Sequence, residues 1–368
     1  MKTGNTSLHH GLAHAKAKGL LGMIAYPQWQ GEFHQARMAV LYGAEKLSET
    51  LPSLRERYPT DEGRFRQMLR AYRKSVFTQL QRSSGAIISA ETFAHLFSGE
   101  MALALRRDLE AAGFRRFKVV LYVRDPADYY LSITNQNMRM TTMTPLVEDP
   151  ATFRYPFLDM SDAWEAAFPG ELTVRKYPGP SSTEVFDDFN VVLNETFGIA
   201  IPLIPVRKNT SLSAEAMQVM EAYRNAFSLV SSRAFTTDAA VLARFLAQSI
   251  DAVPQTKPIL KPEIGAQIRS NHAHDARELH RRYGVELGLS EGTSASRVPR
   301  IDPWTVKEIV ASIDPEITKR LLLLALRDGI ARPTPKRSLP YRAMSIIYHH
   351  LPEGARSERL RDMLKNAF

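Results

Sequence analysis

Three short apolar runs govern what this chain can fold into: Ala86–Ser89 (AIIS), Phe117–Val123 (FKVVLYV) and Leu172–Tyr177 (LTVRKY). Each is rich in β-branched residues and is followed by turn or helix signals. That is the pattern of a strand buried in a parallel sheet. Helix-length segments lie between them. From Arg64 to Arg82, the residues Phe65, Met68, Leu69, Tyr72, Val76, Phe77 and Leu80 fall on one stripe and most arginines fall elsewhere, so the segment is an amphipathic helix. Residues 213–230 (SAEAMQVMEAYRNAFSLV) read as a second helix, with Ser213 as its N-cap and Glu215 in its first turn. Strands alternating with helices predict an α/β fold of three layers, α/β/α, around a central parallel sheet. In such sheets ligands bind at the carboxyl ends of the strands.

The texture changes near Glu291. EGTSASRVPR (291–300) is a polar connection, and WTVKEIVASI (304–313) and ITKRLLLLALRDGI (317–330) beyond it read as helices. The expected organisation is one α/β domain over residues 1–290 and a helical C-terminal extension over 291–368.

Charge narrows the ligand class. The 368 residues carry a net charge of +9, which favours anionic ligands. Arg55, Arg57, Arg64, Arg66, Arg70, Arg73, Lys74 and Arg82 crowd one segment, as either a solvated helix face or an anion-binding surface. Nucleic acid is disfavoured, because aromatic and basic residues do not interleave and no binding module is recognisable. The chain has no cysteine, which excludes a disulfide scaffold, a thiolate metal site and a cysteine nucleophile. The apolar stretch around Leu20–Ala25 is short and broken by glycine, and nothing approaches a membrane span. A soluble cytoplasmic protein is expected.

Two segments have the chemistry of anion sites. Lys2-Thr3-Gly4-Asn5-Thr6-Ser7 leads into a helical pattern. Unpaired N–H groups at a helix start attract phosphate or sulfate, glycine allows close approach, and lysine and hydroxyl side chains add donors. The lysine precedes the glycine, so this is not the nucleotide P-loop pattern; a plain capped helix start is the alternative. The second segment is YVRDPADYYLSITNQ (122–136). Arg124 stands where a strand ends, Asp125 and Pro126 suit a helix start, and Ser132 lies about two turns on. A guanidinium fork and a hydroxyl together make a phosphate clamp. Pairing of Arg124 with Asp125 or Asp128 is the alternative.

These two segments together resemble the sulfotransferase family, in particular its bacterial branch. Its first motif, a strand followed by Lys-Thr-Gly-Thr-Thr-Ser, is similar to Lys2–Ser7. Its second, Val-Arg-x-Pro with a serine two helical turns later, is similar to Val123–Pro126 and Ser132. YPQWQGEFH (26–34), IISAETF (87–93), DAWEAAFPGELTVRKY (162–177), FNVVLNETFGI (189–199), RKNTSLSAEAM (207–217) and the Asn271–Gly284 segment add to the likeness, which spans roughly residues 1–285. Asn5 replaces the usual threonine. The family pattern also sets a strand directly ahead of the lysine, in the middle of the sheet; here the sequence opens at Met1, so the expectation is either a start assigned one short segment late or a lost strand. Its loss would leave two neighbouring strands with unpaired edges.

The resemblance implies a P-loop NTPase-like fold and transfer of a sulfuryl group from 3′-phosphoadenosine 5′-phosphosulfate (PAPS) to a hydroxyl on a glycan, lipid or small metabolite, with no metal. It implies that Lys2, Thr3, Gly4, Asn5, Thr6 and Ser7 hold the 5′-phosphosulfate, with Lys2 steadying charge on the bridging oxygen. Arg124 and Ser132 would hold the 3′-phosphate, and Arg207, Lys208 and Asn209 would close over the cofactor or simply form a capping loop. His34 is the leading candidate for the base that activates the acceptor, since a histidine's ordinary pKa suits that work. Glu91 is the rival and Glu32 a weaker one. His9, His10 and His14 lie on the first helix; His10 and His14 share a face, but that pair lacks a third metal ligand, and His272 and His274 are expected to be solvated. The stretch Met138–Pro156 and the C-terminal extension are expected to shape the acceptor site. The reading from a different class is a non-catalytic relative that binds an anionic ligand or partner.

Overall fold

The structure is a computed structural model that describes residues 5–32, 34–50, 55, 57–96, 98–140, 145–179, 184–201, 211–227, 236–288 and 302–331. It is mostly helical (59%) with small parallel sheets and no barrel, a mixed α/β composition. The chain forms two compact units that interleave along the sequence: Met1–Pro126, Tyr155–Asn209 and His272–Leu289 make the first, and Ala127–Arg154, Thr210–Asn271 and Ser290–Phe368 the second.

The first unit holds the strands. β1 (Ile24–Ala25) pairs in parallel with β2 (Gly85–Ala86), and β3 (Val119–Val123) pairs in parallel with β4 (Leu172–Lys176), Val119 opposite Leu172 and Val123 opposite Lys176. The helices here are α1 (Asn5–Ala17), α2 (Ala36–Gly43), α3 (Glu62–Gln81), α4 (Phe93–Leu96), α5 (Gly99–Ala111), α7 (Phe157–Ala167), α8 (Glu184–Phe197) and α12 (Ala273–Tyr283). α6 (Pro126–Arg139) starts straight after β3 and runs into the second unit.

Local chemistry explains these elements. Asp61 caps α3 by accepting the Arg64 N–H at 2.8 Å. α3 then buries Phe65, Leu69, Tyr72, Val76 and Leu80, the first two in a cluster with Val40 of α2 and Tyr58, while Arg64, Arg66, Arg70 and Arg73 stay exposed. That exposure is what both readings of the basic segment require. α12 ends at Gly284, whose φ of +67° is the left-handed conformation glycine adopts without a Cβ penalty. The main core of the unit joins Leu8 and Leu12 of α1, Tyr26 after β1, Ile87 after β2, Tyr122 of β3 and Phe186 of α8. Beside it, Asp188 of α8 accepts from Tyr122 Oη at 2.5 Å and from Arg175 Nε of β4 at 2.8 Å, which ties the β3–β4 pair to α8.

His272 differs from the expectation of a solvated residue. It is 2% exposed, and its Nε2 accepts the Tyr155 N–H at 2.8 Å. A neutral imidazole satisfies a buried amide here, which is why it is not at the surface. His274 is exposed as expected.

The second unit is helical: most of α6, with α9 (Ala214–Phe227), α10 (Thr237–Gln248), α11 (Pro262–Asn271), α13 (Val306–Ile309) and α14 (Pro315–Ala331). Ser213 caps α9, its Oγ accepting the Ala216 N–H at 3.0 Å. α9 is buried on every side from Ala214 to Arg224. Its polar residues Glu215, Gln218, Glu221 and Arg224 recur every third position, and each meets a partner. Glu215 accepts from the Thr256 and Asp314 N–H groups, Gln218 from Thr318 Oγ1, Glu221 from the Val306 N–H, and Arg224 donates to the Asn137 carbonyl. WTVKEIVASI is helical only over Val306–Ile309, because Val310 leaves the helix to bridge antiparallel to Leu260.

Candidate functional site

The candidate site lies in the first unit, where the chain leaves β1, β2 and β3. Gln35, which sequence reasoning did not single out, holds two of these exits together. It is 1% exposed; its Nε2 donates to the Pro27 carbonyl at 2.7 Å, and its Oε1 accepts the Ser89 N–H at 2.7 Å. Its own N–H donates to the Ser89 carbonyl at 3.1 Å, so the segments after β1 and β2 are locked side by side. A lone glutamine beside His34 carries no readable sequence signal, since only the fold brings Pro27 and Ser89 to it.

α1 docks onto the same exits. His9 Nε2 and Ser89 Oγ lie 2.8 Å apart, and Lys16 Nζ donates to the Tyr26 carbonyl at 2.8 Å. Burial, reinforced by the charges that His34 and His10 would carry, pushes the His9 pKa down to about 3. His9 is therefore a neutral anchor and not a proton carrier at physiological pH. α1 starts at Asn5. Lys2, Thr3 and Gly4 lie outside the described residues, Asn5, Thr6 and Ser7 form the first turn of α1, and Arg207–Asn209 also lie outside.

His34 is half-buried, with its ring 5.8 Å from that of His9. Burial lowers its pKa below the ordinary histidine value; the charge of Arg57 lowers it further, and Glu32 and Glu91 oppose this. It is a neutral imidazole near pH 7, as a general base requires. Its Nδ1 accepts the Ala36 N–H at 3.3 Å, so in the neutral ring Nε2 carries the proton. The ring therefore takes up a proton at Nδ1, which first requires this long, weak bond to break. Of the rival carboxylates, Glu32 is already engaged: it takes both Nε and Nη2 of Arg37, at 2.8 and 3.0 Å. That guanidinium is also stacked over Trp29 and Tyr58, at 4.7 and 4.9 Å. Glu91 is half-buried just before α4 and close enough to His34 for its charge to be felt.

Arg124 follows the last residue of β3, with its guanidinium 5.5 Å from the ring centre of Tyr177, which continues from β4. The Tyr177 N–H donates to the Val123 carbonyl at 2.6 Å, so the two strand exits stay paired beneath it. Ser132 is half-buried on α6 and belongs to the second unit. Among the described residues no three His, Cys, Asp or Glu side chains are grouped to hold a metal, and no helix is long and apolar enough to cross a membrane. Comparison with protein-family models, curated proteins and solved structures finds no match for this chain.

Proposed function

We propose that the protein transfers a sulfuryl group from PAPS to a hydroxyl on a glycan, lipid or small metabolite. The observation that carries this reading is the His9–Ser89 contact, which ties the amino-terminal half of α1 to the segment leaving β2. The anion-binding chemistry of Lys2–Ser7 feeds that helix, and Arg124 stands at the exit of β3 in the same unit. In the proposed reaction Lys2 balances charge on the departing bisphosphate, Thr6 and Ser7 hold the 5′ end, Arg124 takes the 3′-phosphate, and His34 removes the acceptor's proton. Glu91 steadies the imidazolium that results. Glu32 is excluded as base by its Arg37 pairing.

Calorimetric titration with adenosine 3′,5′-bisphosphate tests the reading. Arg124→Ala is expected to weaken binding by about tenfold or more, the scale of a charge-assisted contact; an unchanged Kd would remove Arg124 from the site. His34→Ala is expected to abolish sulfuryl transfer while bisphosphate still binds, and full turnover in that variant would move the base elsewhere. Because the His34 pKa is lowered, the acidic limb of kcat/KM is expected to have its midpoint below 6.5.

One observation favours a second reading, a non-catalytic protein that binds an anionic ligand. Among the described residues β2 pairs only with β1 and β3 only with β4, so no strand joins the two pairs into one sheet. Bisphosphate binding without turnover on any hydroxyl acceptor would select that reading.

A further inference from the structure

α3 carries Arg64, Arg66, Arg70, Arg73 and Lys74, with Arg82 one residue past its end, and no acidic residue lies between Arg64 and Arg82. Away from its buried stripe, Arg66, Arg70 and Lys74 stand exposed in one file at i, i+4 and i+8. The file spans about 12 Å of helix. Arg73, beside it, is already taken. It donates through Nε and Nη2 to Asp108 of α5 at 3.0 and 2.6 Å and lies over the Phe77 ring at 5.3 Å. Among the described residues the side chains of Arg66, Arg70 and Lys74 make no hydrogen bond and no ion pair. A helix face built only for solvation mixes its charges, because unlike charges at i, i+4 attract. Here both i, i+4 pairs are like-charged and repel, so the file weakens the helix of the free protein. That repulsion is relieved when an outside anion is laid along it.

We propose that this file is a docking surface for a linear acidic polysaccharide. Charge complementarity sets the sign of the partner, and the surroundings of the file select among anionic partners. A single row of cations tracks one chain of charge, whereas duplex DNA presents two backbones on either side of a groove. Single-stranded nucleic acid is held by aromatic rings that stack on its bases, and Phe77, the aromatic next to the file, lies under the Arg73 guanidinium. A membrane-surface helix puts its apolar face into lipid. That face of α3 is buried in the protein instead, with Phe65 and Leu69 against Val40 and Tyr58, and Tyr72 edge-on to Trp29. A polysaccharide bearing acid groups along its length needs neither stacking nor apolar insertion. Its carboxylates or sulfates accept from two guanidinium forks and one ammonium. The surface stands on α3 alone and does not depend on the sulfuryl-transfer reading.

The test titrates the full chain with two probes, an alginate oligosaccharide and a heparin oligosaccharide, over a range of salt. The triple variant Arg66→Gln/Arg70→Gln/Lys74→Gln is compared with Arg244→Gln/Lys257→Gln/Lys307→Gln, which removes the same charge from exposed positions of the second unit. The α3 triple is expected to weaken binding by about tenfold or more and to reduce the slope of log K against log salt by about 2, from three contacts at about 0.7 each. The control triple is expected to stay within about twofold, since distant charges are screened. The Tm of the α3 triple is expected to hold or rise, because like-charged neighbours are removed. Equal losses in the two triples would overturn the proposal, because net charge alone would then account for binding. So would the absence of saturable binding to either oligosaccharide, or tighter binding to oligo-dT or to phosphatidylserine vesicles. A lower Tm for the α3 triple would assign the file to the fold and overturn it as well. No arm contains PAPS or bisphosphate, so failure here is distinct from failure of the sulfuryl-transfer reading.

Discussion

Glu221 makes the second unit sensitive to pH, and the direction can be worked out. The residue is 7% exposed, and its Oε1 accepts the Val306 N–H at 2.8 Å. Burial raises its pKa from 4.5 to about 7; the neighbouring Glu308 charge adds to this, and the Val306 bond opposes it. Along the same helix face, Glu215 and Gln218 have partners of their own, and the Arg224 guanidinium is turned to the Asn137 carbonyl. A carboxyl with a raised pKa in the folded state holds its proton more tightly than the unfolded chain does. Below pH 4.5 both states are protonated and nothing is lost. Between 4.5 and about 7 the unfolded state ionises first, so stability falls as pH rises, and above 7 the loss is complete. At 1.36 kcal/mol per pKa unit the full loss is about 3 kcal/mol. Glu221→Gln keeps an oxygen for the Val306 N–H and cannot ionise. Urea unfolding of both proteins from pH 4.5 to 8.5 is expected to give near-equal stability at the acid end. At pH 8 the variant is expected to be the more stable by about 2–3 kcal/mol. If the two proteins keep the same pH dependence throughout, Glu221 is not the group that titrates.

Two further substitutions probe the first unit. A Cβ on Gly85 would stand 2.8 Å from the Phe197 ring, so Gly85→Ala is expected to cost about 1–3 kcal/mol by overpacking, with partial recovery on adding Phe197→Leu, read by thermal denaturation. Asp188→Ala removes the acceptor shared by Tyr122 and Arg175. It is expected to cost roughly 2–4 kcal/mol by leaving a phenol and a guanidinium unpartnered, whereas Tyr122→Phe in the Asp188→Ala background should recover part of that loss.

β3 and β4 were legible because a buried strand announces itself locally: VVLYV is wholly apolar, and LTVRK buries Leu172 and Val174. AIIS was legible only in part, since β2 is Gly85–Ala86 and Ile87–Ser89 leave the strand. β1 was not legible. Ile24–Ala25 is two residues long in a glycine-broken stretch, and it is a strand only because Gly85–Ala86 pairs with it. The candidate base was legible as a residue type, a histidine after the first helix. Its surroundings were not, because the lowered pKa of His34 comes first from burial, and because Arg57 and Glu91, which act on it beside the near neighbour Glu32, are distant in sequence. His272 shows the same limit in reverse: its polar helical surroundings read as solvated, yet the Tyr155 amide finds it in the interior.

By itself the sequence determined the element types, the exposed basic face of α3, the caps at Ser213 and the apolar identity of the parallel strands. Each depends on residues within a few positions of one another, where periodicity and capping chemistry act. Only the tertiary structure decided that the polar stripe of α9 is buried and hydrogen-bonded and that Gln35 locks two strand exits together. Those outcomes rest on contacts between residues far apart in the chain. Whether a glutamate meets water or a backbone N–H is set by what packs against it, not by its neighbours in sequence.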